Sequence, residues 1–374
     1  MIKVLLISPT DPEKPSDLKL LVGGENTYTQ ILLNNPQKGV MYTYHMDALK
    51  KGLIEYLPLH YFLKNLVRFR ILPLSAGTEA IKVHGDFDLV HCHGYSVKIV
   101  GKRLPVILSD SSSNYLFLRD YVGWPEARIG LGYWIRRQLF ARLGIIDCDT
   151  NWQSAKKIIV FSDFAAKVHR GLGVPSKEMI VVPPGLPKTT FDKIKKNGEI
   201  NILFIGIWFE RKGGPLLLSA FEILAKKYPK LTLTIVGPVS KRFQIKHPRI
   251  KQTNFVPRTK LLSDFFPKAD IFVLVPPVAE GYGFVLLEAA SFGIPAIVSR
   301  VYALPEIMED GKTGYVIKPA DLSGLVKKLE SLIINERLRK RMGINAKKVF
   351  LRKYSLGIFY KRLLRVYKEA LKLN

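Results

Sequence analysis

Short apolar runs alternate along this chain with stretches of helical composition, in both halves. In the first half the runs of strand length are Lys3 to Ile7, Asp88 to Cys92, Val106 to Leu108, Lys157 to Phe161 and Ile180 to Val182, and Ala165 to Gly171 reads as a short helix ending at glycine. In the second half they are Ile200 to Ile205, Leu231 to Val236, Asp270 to Val275, Ala296 to Ser299 and Gly314 to Ile317. Strands that alternate with helices predict parallel sheets joined by crossover helices. Two doubly wound α/β units follow. Their boundary is expected within Pro187 to Glu199, where Pro, Lys, Asn and Gly replace the apolar runs.

Composition narrows the class. A chain of 374 residues gives each of two domains enough material for its own core. With 47% hydrophobic and 24% charged residues it is globular rather than disordered. No apolar run approaches the roughly 20 residues that cross a bilayer, and Met1 leads straight into a strand-like run instead of a charged leader, so neither a span nor a signal peptide is expected. Cys92 and Cys148 are too few for a disulfide framework and suit a reducing compartment. A cytoplasmic location is the expectation.

Candidate chemistry concentrates at Glu280-Gly281-Tyr282-Gly283-Phe284-Val285-Leu286-Leu287-Glu288. A strand precedes it and helix-forming Leu, Leu, Glu, Ala, Ala follow, so the glycines fall at a strand-to-helix turn. A helix start offers unpaired N–H groups and partial positive charge, and glycines admit a ligand close to the backbone. Glu280 lies just outside the helix and Glu288 more than a turn inside it. Two carboxylates so spaced can hold separate hydroxyl groups of one ligand, such as a hexose and a ribose; the bland alternative is a cap and a solvated helical residue. The loop Gly206-Ile207-Trp208-Phe209-Glu210-Arg211-Lys212-Gly213-Gly214 also follows a strand and sets two cations beside glycines, where they can neutralise a diphosphate.

From Glu280 onward the chain resembles the retaining GT-B glycosyltransferases of the family 4 type (glycosyl transferases group 1), whose Glu-x7-Glu motif precedes an Ala-rich helix. Ser291-Phe292-Gly293-Ile294-Pro295-Ala296-Ile297-Val298, Glu306-Ile307 and Asp310-Gly311-Lys312-Thr313-Gly314-Tyr315 extend the resemblance. It is dense from about Ile200 to Pro319 and scattered before that. It implies two Rossmann-like domains facing an interdomain cleft: residues 1–190 for the acceptor, 191–355 for the nucleotide-sugar donor, and a final helix, 356–374, crossing back to the first domain.

The resemblance also implies roles. Glu280 and Glu288 bind donor hydroxyls, with Gly206, Gly281, Tyr282, Gly283, Phe284 and Leu287 around them, and Lys212 matches the loop cation. Ile207 stands where relatives carry an arginine, which makes Arg211 the substitute. Gly23 and Gly24 resemble the amino-terminal glycine pair under the donor phosphate. Relatives place a histidine after the strand equivalent to Val106 to Leu108; here Ser109-Asp110 occupies that place, so Asp110 becomes the acceptor-side polar group or, alternatively, a turn cap. His91-Cys92-His93 at a strand end invites a metal reading, yet successive strand side chains point to opposite faces, which turns Cys92 away from the two histidines, and no further ligand cluster is nearby, so a structural or acceptor-side role of His93 is expected over metal. Asp147-Cys148-Asp149 has metal-binding spacing but reads as a loop. No metal and no cofactor are expected; a UDP- or GDP-type sugar is the donor.

The formal charge of +27 is uneven. From Lys327 to Asn374 there are 15 Lys or Arg against Glu330, Glu336 and Glu369, a local balance of +12, interleaved with Phe359, Leu363, Leu364, Val366, Tyr367 and Leu371. Tyr61-Phe62-Leu63-Lys64-Asn65-Leu66-Val67-Arg68-Phe69-Arg70 mixes aromatics with cations as interfacial helices do. Peripheral contact with an anionic membrane, where a glycan or lipid-linked acceptor would be met, is therefore an expectation, and an ordinary solvated basic face is its alternative. Charge alone would also suit a nucleic-acid binder, yet no helix-turn-helix, zinc-finger or aromatic RNA-binding motif accompanies it, so no nucleic-acid partner is expected. A nucleotide-sugar epimerase on the same fold is the other alternative.

Overall fold

The computed structural model describes residues 1–8, 23–60, 78–192, 194, 198–243 and 247–373, and side chains there apart from those of residues 23–26. The basic-aromatic segment 61–70 lies outside the described residues. The chain divides into two compact units: Met1–Pro184 together with Phe359–Asn374, and Gly185–Ile358.

Among the described residues nine strands belong to the first unit: β1 (Ile2–Ile7), β2 (Val40–Tyr44), β3 (Ile54–Tyr56), β4 (Thr78–Val83), β5 (Leu89–His93), β6 (Ser96–Gly101), β7 (Val106–Asp110), β8 (Lys157–Val160) and β9 (Met179–Val181). Six of them form a parallel sheet in the order β2-β1-β5-β7-β8-β9, and β3-β4-β6 make a small separate sheet. The sheet core is Leu5, Ile7, Val90, Leu108, Ile158 and Val160, all but removed from water. Four of the apolar runs found in the sequence are the central strands β1, β5, β7 and β8, and the fifth is the edge strand β9. Those the sequence reading missed, β2, β3, β4 and β6, sit at a sheet edge or in the small sheet and carry polar or charged residues such as Glu55, Lys82 and Lys98, because one face or edge meets water.

The last helix, Leu356–Leu371, packs its apolar stripe from Phe359 onward into this unit. Phe359 meets the Tyr28 ring edge-on, Tyr360 donates to the Asn35 carbonyl, and the Tyr367 hydroxyl lies 2.7 Å from His91 Nδ1. Phe359, Leu363, Val366 and Tyr367 are thus core residues, and the final helix packs against the first unit as its expected crossing requires.

The second unit holds β10 (Ile200–Ile205), β11 (Leu231–Val236), β12 (Ile250–Thr253), β13 (Ile271–Leu274), β14 (Ala296–Ser299) and β15 (Gly314–Ile317), all parallel, in the order β12-β11-β10-β13-β14-β15. Ile202, Phe204, Leu217, Phe221, Leu233, Leu325 and Leu329 join the sheet to the helices Gly214–Lys227 and Leu322–Ile334. Two glycines fix the loops beyond the carboxyl ends of the neighbouring strands β10 and β13. Gly213 has φ +87°, and a Cβ there would lie 2.0 Å from the Val275 carbonyl oxygen. Gly283 has φ +84° and caps the helix Phe284–Ser291, where a Cβ would lie 2.8 Å from Leu304. Only glycine meets both demands without strain. Ligands of open parallel sheets bind beyond these strand ends, so the two turns frame the candidate site.

Candidate functional site

The loop after β10 is built around a buried ring. Phe209 packs edge-on against Phe204 and Phe243, and the Gly214 amide donates to its carbonyl at 2.9 Å. With Phe209 pinned inward, Trp208 is turned out, 53% exposed, and Arg211 stands 5.9 Å from its ring. Lys212 crosses over Gly206. A Cβ on Gly206 would come within 2.9 Å of Lys212 Cγ, so the glycine is what lets the lysine lie flat against the strand end.

From there Lys212 reaches Glu280. Its Nζ lies 2.6 and 2.5 Å from the two carboxylate oxygens, a chelated pair between the β10 and β13 loops. Glu280 is only 5% exposed, and burial of a carboxylate is tolerated when a cation and hydrogen bonds meet it. The sequence treated Lys212 and Glu280 as holders of different parts of a ligand; the structure makes them one unit.

Glu288 lies in the second turn of the helix that Gly283 caps, 4% exposed, with Oε1 2.6 Å from Arg258 Nε. Arg258 escaped the sequence reading. It opens a short turn after the polar edge strand β12, and no motif marks it. Tyr282 and Phe284 are buried and pack edge to face, 5.7 Å apart, while the Leu287 side chain is fully inside. These three shape the loop and helix from the core side. What the turn offers a ligand is its backbone: Leu286 N–H already bonds to the Gly283 carbonyl, and the amides before it lie at the helix start.

In the first unit, Gly23 and Gly24 are the first two residues of the helix Gly23–Asn34. Asp110 ends β7 and accepts from the Ser112 amide at 3.1 Å, the turn geometry its neighbours favour. It also belongs to a buried cluster. Asp110, Asp149 and His169 present ligand atoms within 4.8 Å of one another, the one such group of three among the described residues. Asp149 Oδ2 is taken by the Tyr133 hydroxyl at 2.6 Å and the Asn114 amide at 2.9 Å, while Oδ1 faces His169 Nδ1 at 3.3 Å. Burial lifts the Asp149 carboxyl above its usual range and lowers the His169 imidazole, an effect its acidic neighbour partly opposes. Two carboxylates and an imidazole also form a donor set for a divalent ion such as Zn²⁺ or Mn²⁺. The sequence reading passed over it because His169 lies on a helix far along the chain. Asp147, the other acid of Asp147-Cys148-Asp149, is instead paired with Arg136 at 2.6 Å.

His91 and His93 flank Ser109, whose Oγ is 2.8 Å from His91 Nε2 and 2.9 Å from His93 Nδ1. Both rings are fully buried, and burial pushes each imidazole down to about 3, so both are neutral. Among the described residues no helix is long and apolar enough to cross a membrane.

Three comparisons bear on this arrangement. Residues 187–349 match the family model described as glycosyl transferases group 1. An uncharacterized glycosyltransferase of Haemophilus influenzae is 31% identical over 163 residues, 42% of this chain and 45% of that protein, so the chain spans about half the length of this relative. A 41.2 kDa uncharacterized protein of the cps region of Klebsiella pneumoniae is 31% identical over 277 residues, 67% of this chain and 71% of the relative. Among solved structures, Anabaena HepE in complex with UDP and glucose superposes with a TM-score of 0.65 at 12% identity, covering 98% of this chain and 100% of that one. At that identity the likeness shows the fold, GT-B.

Proposed function

Because this chain belongs to the glycosyl transferases group 1 family, we propose that it moves a hexose-type sugar from a UDP- or GDP-sugar to a glycan or lipid-linked acceptor, with retention of anomeric configuration. The observation that carries this reading is the chelated Lys212–Glu280 pair beyond β10 and β13, with the Arg258–Glu288 pair on the adjoining helix. Two buried carboxylates, each balanced by a cation, suit a ligand that brings both anionic oxygens and vicinal hydroxyls. Glu288 takes the ribose, Glu280 the hexose, and Lys212 with Arg211 the diphosphate. The solved neighbour that holds UDP and glucose adds weight to a nucleotide sugar as the ligand class.

In this mechanism the acceptor oxygen attacks the anomeric carbon on the face the diphosphate leaves. The carbon–oxygen bond to the diphosphate breaks, and a diphosphate oxygen takes the acceptor proton. No side chain forms a covalent intermediate. Negative charge grows on the leaving group, so cations aimed at it act mainly on the transition state. Asp110 serves as a polar contact for the acceptor. The epimerase and nucleic-acid readings have no observation of their own in their favour. The site of action is the cytoplasmic face of a membrane.

A hydrolysis and transfer screen over UDP- and GDP-sugars, with the anomeric configuration of the product read by NMR, tests the reading. One donor is consumed and the product keeps the donor's configuration; an inverted product overturns retention, and an epimerised donor recovered without transfer points to the epimerase. Replacing Lys212 with Ala lowers kcat more than it weakens donor binding, by roughly ten- to a hundredfold for one charge-assisted contact. Arg211→Ala follows the same pattern if Arg211 stands in for the arginine absent at position 207; an unchanged rate places the diphosphate on Lys212 and Arg258 alone. EDTA leaves the rate intact. Loss with EDTA, restored by Mn²⁺ and abolished by Asp149→Asn, would instead make the Asp110–Asp149–His169 cluster a working metal site.

A further inference from the structure

The helix Glu126–Leu143 buries Ile129, Tyr133, Arg136 and Phe140 on one side. Its opposite side is unusual for a solvated face. Leu131 and Trp134, one turn apart, are each 62% exposed, and Val122 in the loop leading into the helix is 46% exposed. At 100° per residue, Arg128 and Arg142 fall on one flank of the Leu131–Trp134 stripe and Arg137 on the other, all three exposed. The one acidic residue of the helix, Glu126, stands at its start, where Arg119 Nη1 lies 3.9 Å away. Arg128 lies over the Trp124 ring at 4.0 Å, and Arg137 reaches the Leu172 carbonyl at 3.4 Å, so two of these arginines are held against the helix and its surroundings.

The geometry points to this face as a docking surface for an anionic lipid bilayer. An apolar stripe bracketed by arginines is the pattern of a helix lying in the headgroup layer: Trp and Leu enter the acyl boundary while the arginine stems spread along it and keep their heads at the phosphates. Each cation near an anionic surface adds attraction, and among the described residues the acids beside this face, Asp120 and Glu126, both lie next to Arg119. A protein partner fits less well. Two large apolar side chains on one helix fall far short of the roughly 1,000 Å² that a stable protein interface buries, whereas insertion of both plus three charges suffices for reversible membrane contact. The inference rests on the reading that the acceptor is met at a lipid surface, but its test measures binding and not transfer, so either can fail alone.

Flotation of the whole protein with vesicles of phosphatidylglycerol and phosphatidylcholine, mixed about one to two, reads the contact. Wild type floats with these and not with pure phosphatidylcholine, and high salt releases it. Leu131→Glu with Trp134→Glu cuts the bound fraction roughly tenfold, as does Arg128→Glu with Arg142→Glu, while Trp134→Phe retains it. Both pairs keep the wild-type circular dichroism and donor turnover, since these side chains point away from the core. Any of four results overturns the inference: no flotation of wild type, equal flotation with neutral vesicles, unchanged flotation of the Leu131/Trp134 variant, or loss confined to Arg68→Glu with Arg70→Glu. A wild-type dimer that the Leu131/Trp134 variant converts to monomer would overturn it too, by making this face a contact between two copies of the chain.

Discussion

Glu288→Ala and Glu280→Ala each lower kcat/KM with the true donor by roughly ten- to a hundredfold, the equivalent of losing about 1.5 to 3 kcal/mol of charge-assisted hydrogen bonding. Both side chains are almost fully buried, yet neither belongs to the apolar core: each ends on a cation at the rim of the sheet. The two losses differ in kind. In the proposed reading Glu288 binds a part of the donor that does not react, so its removal is expected to raise KM, and Glu280 binds the ring whose anomeric carbon changes, so its removal is expected to fall on kcat. Each substitution also frees a cation, Arg258 or Lys212. Glu280→Gln separates the two effects, since it keeps the length and a carbonyl acceptor but surrenders the charge that Lys212 answers. Steady-state kinetics with circular dichroism as the folding control decide the matter. A variant of either residue that folds and keeps near-normal kcat/KM removes that residue from the donor site.

Much of this site was legible because its parts are local. The helix Phe284–Ser291 and the strands β10, β11, β14 and β15 have the bounds that their composition marks, and the Glu-x7-Glu spacing lies within one strand-to-helix passage. Gly213 and Gly283 stand out for the same reason: a left-handed turn pressed against a neighbouring segment, the backbone after β13 for one and the Leu304 side chain for the other, leaves only glycine. Long-range pairing was not legible. Arg258 meets Glu288 across 30 residues and Lys212 meets Glu280 across 68, and nothing in either stretch encodes the distance. Edge strands also escaped. β12 is Ile-Lys-Gln-Thr, polar because one of its edges has no neighbour, and a search for apolar runs passes over it. The interleaved aromatics of the final helix left two readings open, and the expected crossing back to the first domain favoured packing. Their spacing fits a lipid-facing stripe and a packed stripe equally, and contacts such as Tyr367 with His91 settle it as packing.

Arg136→Met costs the first unit about 3 kcal/mol, at the lower end of what breaking a buried ion pair removes. Arg136 is 1% exposed; its Nη2 lies 2.6 Å from Asp147 and 3.1 Å from Ser96 Oγ, and its guanidinium stands 4.8 Å from the Phe140 ring. Burial pulls the guanidinium pKa down, but Asp147, Tyr133 and Asp149 together outweigh it and hold the group above its ordinary value. Methionine fills the same volume with no charge, and Asp147 is then left buried with only the Thr150 and Asn151 donors, at 2.6 to 3.0 Å. Those bonds soften the loss and place it near 3 and not near 5 kcal/mol. Adding Asp147→Asn removes the stranded charge while keeping an acceptor for both amides, so the double variant recovers most of the stability. Because two compact units need not unfold together, hydrogen exchange is the right reading. Amides of β7 and β8 lose roughly two orders of magnitude of protection in Arg136→Met, while those of β10 and β13, in the other unit, serve as the internal reference. Equal protection in wild type and Arg136→Met would mean that the packing of Tyr133 and Phe140, and not the ion pair, holds this helix to the sheet.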